Sequence, residues 1–224
     1  MDMLNFYERP FRAKLIPAKV WRDLDRYEND AKGLSNYFKK WRTRVVFLPQ
    51  KSTSKVYKSY VAVGGEYAPD ERQCVIFVHC SNFNTFTFTK ETWDRFKYKM
   101  IQVLMHELVH FMQYDRRDDE WSNYVVPYKK IGHRKIDEER RYLSEFDEIQ
   151  AYAHWVCLDY KMFRPNVPVS DLLLRSKFRR VSSTLHYFLK TFSYDYRNNE
   201  AIPKIIQQIA KWDRKYQRII KKPK

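Results

Sequence analysis

The stretch KMIQVLMHELVHFMQ, residues 99–113, decides the fold, because it carries apolar residues on nearly every side of a helix. A helix of that kind is buried. The wider apolar periodicity predicts a helix from about Thr92 to about Tyr114, with Thr89 or Thr92 as its N-cap. On this helix His106 and His110 are four residues apart, so their imidazoles project side by side.

The pentapeptide His106-Glu107-Leu108-Val109-His110 has the form H-E-x-x-H. Two imidazoles at this spacing can bind one zinc ion, and the glutamate between them can take a proton from a water on the metal. The alternative is a helix with two partly buried histidines and a solvated glutamate. We favour the metal, because a buried histidine pair beside a carboxylate needs a partner. His106 and His110 are therefore predicted zinc ligands, with Glu107 as general base.

A tetrahedral catalytic zinc site also needs a third protein ligand and one open position. In the segment 142–155, Ser144 and Asp147 have the spacing of a capping box, so a helix is predicted to start there with Glu148 in its first turn. Such a glutamate can instead complement the helix dipole. We predict Glu148 as the third ligand, because a third ligand must come from somewhere once zinc is bound at His106 and His110.

Residues 121–143 have mixed character and are interpreted as a long loop over the site. Tyr142 and His133 in this loop are candidates for stabilising an oxyanion. Gln113 and Asp147 are candidates for orienting a ligand imidazole.

An α+β fold is predicted, in which a small, mostly antiparallel sheet precedes the H-E-x-x-H helix. Strands are expected at residues 45–48, 55–63, 73–79 and 83–89, with a turn at Gly64-Gly65. Helices are expected from Pro17 to about Ala31, with Gly33 as a stop, and at 34–42. After the second ligand-bearing helix, further helices are expected from Ser170-Asp171 to about Phe192 and from Pro203 to about Ile220.

Three segments follow from this pattern: an N-terminal helical segment (1–44), a core that carries the predicted metal ligands (45–162) and a basic C-terminal helical segment packed on the core (163–224). The 224 residues have a net charge of +16, which suits polyanionic partners as well as solubility. Nucleic acid is therefore a possible partner of the basic C-terminal helices, including residues 175–180 and 211–224. The odd count of three cysteines suggests reduced thiols in an intracellular protein. Neither a secretory signal nor a transmembrane stretch is expected.

Glu148-Ile-Gln-Ala-Tyr152 following His106-Glu107-x-x-His110 resembles the gluzincin group of zinc metallopeptidases. The resemblance spans about residues 73–160 and extends to small H-E-x-x-H proteins of bacteriophages and large DNA viruses. It implies a zincin-like fold, zinc held by His106, His110 and Glu148, and Glu107 as base. A virus-encoded protein could be virion-associated.

The pentapeptide is also similar to that of SprT-like proteases, in which a later histidine is the third ligand. That similarity implies His133 in this role, with His154 as a weaker candidate, and nucleic acid nearby. Two functions thus remain open: a zinc-dependent peptidase acting on proteins or peptides, and a non-catalytic, basic structural or nucleic-acid-binding protein on the same scaffold.

Overall fold

The computed structural model describes residues 19–49, 61–80, 82–117, 120, 122–163, 167–169 and 182–220. The chain is α+β, with several helices and one three-stranded sheet in the described part. It divides into two compact units, which hold the described residues up to 117 and those from 120 onward. The three segments predicted from the sequence remain a prediction.

The first unit begins with helical residues 19–24, a 3-10 turn at Asp25–Tyr27 and helix α1, Ala31–Lys39. Gly33 does not stop a helix, as the sequence suggested, but lies in the first turn of α1. The Asp30 side chain caps α1 by accepting a hydrogen bond of 2.8 Å from the Gly33 N–H. A Cβ at Gly33 would lie 2.1 Å from Asp30 Oδ2, so glycine makes room for this cap.

The sheet contains β1 (Thr43–Leu48), β2 (Ala62–Ala68) and β3 (Gln73–His79), in the order β1-β3-β2. β1 pairs parallel to β3 from Thr43↔Cys74 to Leu48↔His79, and β2 pairs antiparallel to it. The described sheet is therefore mixed, and the expectation of a mostly antiparallel sheet is corrected. Most of β3 is buried, which suits a central strand.

Gly64-Gly65 does not form the turn predicted from the sequence, because both glycines are paired with β3 inside β2. The turn between β2 and β3 lies at residues 69–72, where the Arg72 N–H donates to the Pro69 carbonyl at 2.9 Å. Glycine within a strand often marks a close approach of another element. A Cβ at Gly65 would lie 2.3 Å from Val103 Cγ1, so this glycine lets a helix approach β2.

Residues 83–89, predicted as a strand from their alternation of Phe with polar residues, are not a strand. Phe83–Thr85 forms a 3-10 turn, followed by irregular backbone. The phenylalanines instead form an aromatic cluster, in which Phe83 packs against Phe47, Phe88 and Phe96 with ring centroids 5.1–5.6 Å apart. The alternation reflects this local cluster rather than strand pairing.

Helix α2, Lys90–Asp115, confirms the long helix predicted from residues 92–114. Thr89 is its N-cap and forms a capping box with Thr92. α2 packs against β2 and β3. Its buried Lys97 pairs with Asp25 at 2.5 Å and Asp94 at 3.0 Å, which ties the helix to the 3-10 turn.

The second unit contains α3 (Arg134–Ser144), α4 (Phe146–Phe163), α5 (Ser183–Thr191) and α6 (Ala201–Ile220). The long loop predicted at 121–143 is corrected, because most of its second half is α3. Ser144 ends α3 and is fully buried, so it is not the start of a capping box for α4. α3 was missed because Ile136 and Leu143 are its only aliphatic residues.

α4 packs against α6 and α5. The predicted helix at 203–220 is confirmed by α6. The predicted helix at 170–192 is confirmed only in its later part, as α5 with Ser182 as N-cap, because residues 170–181 lie outside the described residues. Cys74, Cys80 and Cys157 are buried free thiols. Among the described helices, none combines the length and apolar character that crossing a bilayer requires.

Candidate metal centre

His106 and His110 form a close pair on α2. Their Nε2 atoms are 3.1 Å apart, and their ring centroids are separated by 4.8 Å. His110 is buried, whereas His106 is partly exposed. The helical spacing of four residues thus brings one nitrogen of each imidazole to the same point.

Gln113, one turn beyond His110 on α2, orients the buried imidazole. Its Oε1 lies 2.9 Å from His110 Nδ1, and both side chains are buried. Because an amide oxygen only accepts hydrogen bonds, Nδ1 carries the proton and Nε2 presents its lone pair. This is the tautomer that a metal ligand needs, since the opposite nitrogen is usually held by an acceptor. The orienting contact expected of Gln113 is therefore present.

Glu107 directly follows His106 on α2, and its side chain is only 5 % exposed. Its Cγ would be 3.2 Å from a Cβ built on Gly65, so this side chain runs alongside β2. Cys74 on β3 is close enough to interact with it. Burial and, next, the negative charge of Glu107 raise the pKa of the Cys74 thiol, and a hydrogen bond with Thr43 acts in the opposite direction. Cys74 therefore stays a neutral thiol beside the carboxylate.

Glu148 lies in the first turn of α4, as the sequence predicted, although that helix begins at Phe146 and not after Ser144. It is 8 % exposed. Asp147, the preceding residue, accepts a hydrogen bond of 3.3 Å from the Ser122 N–H.

His106, His110 and Glu148 form a group in which one ligand atom from each residue lies within 4.8 Å of the other two. Two ligands at about 2.05 Å from a tetrahedral ion are about 3.3 Å apart. The imidazole pair already has nearly this separation. Two imidazole nitrogens and one carboxylate oxygen are a donor set used by catalytic zinc, so these residues fit that ion.

His133 and Tyr142 do not belong to this group. His133 is exposed and lies at the N-cap of α3, where its side chain makes no capping hydrogen bond. Tyr142 is 42 % exposed on α3. In the described part of the chain, the third member of the ligand group is Glu148 and not His133. The roles of His133 and Tyr142 at an oxyanion remain predictions.

His154, the weakest of the candidate ligands, has a different place. It is 1 % exposed, its Nε2 lies 2.7 Å from the Tyr216 hydroxyl, and its ring packs on Trp212 with centroids 4.4 Å apart. This histidine belongs to the contact between α4 and α6, which explains its burial without a metal.

The sequence did not reveal Gly65 or Cys74 as neighbours of Glu107. Gly65 was assigned to a turn, and Cys74 was considered only for disulfide bonding. A glycine pair inside an otherwise strand-forming segment is a signal that could have indicated a close approach of another element.

Comparison with protein-family models, with curated protein sequences and with solved structures finds no match to this chain.

Proposed function

We propose that this chain is a zinc-dependent metallopeptidase with a zincin-like fold. In this proposal His106, His110 and Glu148 hold the ion, and Glu107 is the general base. The observation that carries it is that the three ligand atoms lie within 4.8 Å of one another. His106 and His110 are one helical turn apart, whereas Glu148 follows His110 by 38 residues. The resemblance of these motifs to gluzincins supports the same ligand set.

Zinc at this position would polarise the scissile carbonyl and lower the pKa of an attacking water. Glu107 accepts one proton of that water as its oxygen bonds to the carbonyl carbon. Glu107 then donates this proton to the amide nitrogen as the C–N bond breaks, which releases an amine and a carboxylate. Gln113 keeps the His110 Nε2 lone pair free for the ion by accepting a hydrogen bond from the Nδ1–H group.

The position of β2 favours a peptide as the substrate, because β2 is an edge strand of the described sheet and contacts α2. An extended peptide can add to such an edge by main-chain hydrogen bonds. Gly65 brings β2 close to Glu107, so a peptide paired there would run beside the base.

The proposal is tested by the metal content of purified protein. We expect about one zinc per wild-type chain, as in sites with three protein ligands. The Glu148→Ala variant should lose most of it. The matched control is Glu138→Ala, which removes an exposed glutamate from α3. His133→Ala should also keep the metal, since His133 is not in the ligand group. Full zinc in Glu148→Ala would contradict the ligand set.

Catalysis is tested separately with the Glu107→Gln variant. It should keep its zinc but lose hydrolysis of an unfolded protein substrate, because the amide cannot accept the proton of water. Zinc-loaded wild type that cleaves no unfolded protein would contradict the peptidase proposal and favour a non-catalytic metal-binding protein.

A further inference from the structure

The outer face of α6 carries several cations. Lys211 and Arg214 are exposed on this face, and Lys204 and Lys215 are partly exposed. The opposite face of the helix is buried and contains Ala201, Ile202, Ile205, Ile209 and Tyr216.

Asp213 is the only carboxylate in the sequence of α6. It is 5 % exposed and accepts a hydrogen bond of 2.8 Å from the Val169 N–H, so it belongs to the buried side of the helix. The described outer face of α6 is consequently positive along its length. Lys204 and Lys215 lie over the rings of Phe146 and Trp212, at 5.4 and 4.8 Å from the ring centroids.

Two exposed cations on other helices are paired with a carboxylate of the same helix. On α2, Arg95 bonds Glu91 at 3.1 Å, and on α3, Arg134 bonds Glu138 at 2.9 Å. Each pair has the four-residue spacing that stabilises a solvated helical face. In the described part of the chain, neither Lys211 nor Arg214 forms such an ion pair. No carboxylate on α6 or a described neighbour therefore neutralises these two cations.

We propose that the outer face of α6 binds the phosphate backbone of nucleic acid. Ten residues separate Lys204 from Arg214, which corresponds to about 15 Å along a helix. Each strand of a duplex carries one phosphate per roughly 3.4 Å of its axis, so about four phosphates fall within that length. A row of cations with no carboxylate among them matches such a row of anions. Contacts to phosphates do not depend on the base sequence, so we expect binding without sequence specificity.

An anionic membrane surface fits α6 less well. A helix that lies in a membrane interface inserts an apolar face among the lipids. The apolar face of α6 is already buried within its own unit, where Ile202, Ile205 and Ile209 are 0 % exposed. The exposed side chains of Lys211 and Arg214 on the outer face offer charge rather than apolar surface.

The experiment measures binding of the full-length chain to fluorescent DNA and RNA duplexes of mixed sequence, over a series of salt concentrations. The variant is Lys211→Gln/Arg214→Gln, and glutamine preserves helix propensity. The matched control is Lys90→Gln/Arg95→Gln, which removes the same number of exposed cations from α2. Circular dichroism checks that both variants are folded.

We expect the wild type to bind at least one of the duplexes with strong salt dependence. The Lys211→Gln/Arg214→Gln variant should lose about tenfold or more in affinity at low salt, and its slope of log affinity against log salt should fall by about two. The control should change less than about threefold. Equal losses in both variants would overturn the proposal, because binding would then follow net charge alone.

Two further outcomes would also overturn it. One is no binding of either duplex by the wild type at low salt. The other is binding that depends on Lys211 and Arg214 only with phosphatidylcholine vesicles containing about 30 % phosphatidylserine, which would assign the face to membranes. Chelating the metal should leave duplex binding unchanged, since α6 holds no residue of the metal group.

Discussion

The helices α2 and α6 are both long, 26 and 20 residues, but they place their polar side chains in opposite ways. α2 buries Lys97, Glu107, His110 and Gln113, whereas α6 directs most of its cations outward. A buried polar group needs a partner because it has lost its water. An exposed cation needs none, so only the absence of nearby carboxylates marks it as a contact for another molecule.

Each helix thus indicates function by a different kind of evidence. On α2 the evidence is internal, since Gln113 contacts His110 and the two imidazoles contact each other. On α6 the evidence is that Lys211 and Arg214 are exposed on the outer face, whereas Asp213, the only carboxylate in the sequence of the helix, is buried. Burial is therefore the better guide to a metal or catalytic site, and charge compensation is the better guide to a binding surface.

The largest effect is expected where α2 meets β2. Gly65→Ala would place a Cβ 2.3 Å from Val103 Cγ1 and 3.0 Å from the Val75 carbonyl oxygen. Because a β-branched side chain and backbone cannot easily yield, we expect a loss of about 1–3 kcal/mol in the free energy of unfolding. Urea denaturation of the two proteins measures this difference.

Gly64→Ala is the matched control, because a Cβ there has no neighbour within 4 Å. Glycine in a strand is about 0.5–1 kcal/mol less favourable than alanine, so this variant should be as stable as the wild type or more stable. Equal destabilisation by the two changes would show that close packing of α2 on β2 does not explain the glycines.

The next effect concerns the polar interior of α2 and rests on the proposed zinc site. Gln113→Leu removes the acceptor at His110 Nδ1, and loss of such an outer contact lowers metal affinity by about 10–100-fold. Gln113→Glu keeps an acceptor and should bind zinc within a few-fold of wild type. Competition with a chromophoric chelator measures both affinities.

Gln102→Leu is the control for this series, because Gln102 lies on the same helix and accepts a hydrogen bond of 2.8 Å from Lys99. It should leave zinc affinity unchanged. Wild-type affinity in Gln113→Leu would mean that the contact with His110 is structural and does not tune a ligand.

The smallest effect concerns the buried side of α6. Tyr216→Phe removes the hydroxyl that lies 2.7 Å from His154 Nε2, at a cost of about 1 kcal/mol at pH 8. Burial raises the pKa of Tyr216 well above its usual value of 10.0. Above pH 10 the unfolded chain therefore releases this proton while the folded chain keeps it, so wild-type stability falls as pH rises. The variant lacks this loss.

The difference in free energy of unfolding between wild type and Tyr216→Phe should consequently shrink from pH 8 to pH 10.5, which urea denaturation at both values can measure. Tyr124→Phe, which alters a ring that is 52 % exposed, should show no such change. A constant gap between wild type and Tyr216→Phe would contradict the assignment of alkaline sensitivity to this buried hydroxyl.

Local patterns predicted much of the fold and of the candidate site. The apolar periodicity around residues 99–113 predicted α2 to within a few residues at each end, and the spacing of Ile205, Ile209 and Tyr216 predicted α6. α3 escaped prediction because its stability depends on contacts rather than periodicity. Its Arg140 is 2 % exposed and donates to the carbonyls of Lys129 and Thr191 at 2.7 and 2.8 Å.

The sequence by itself determined which residues could bind a metal, because H-E-x-x-H on a helix fixes two imidazoles on one face through its period alone. It also determined that α6 has one basic and one apolar face. Only the tertiary structure decided that Glu148 joins the histidines, that His154 does not, and that Gly65 lies in a strand beside Glu107. These depend on contacts between distant segments, and helical or strand periodicity describes only neighbours along the chain.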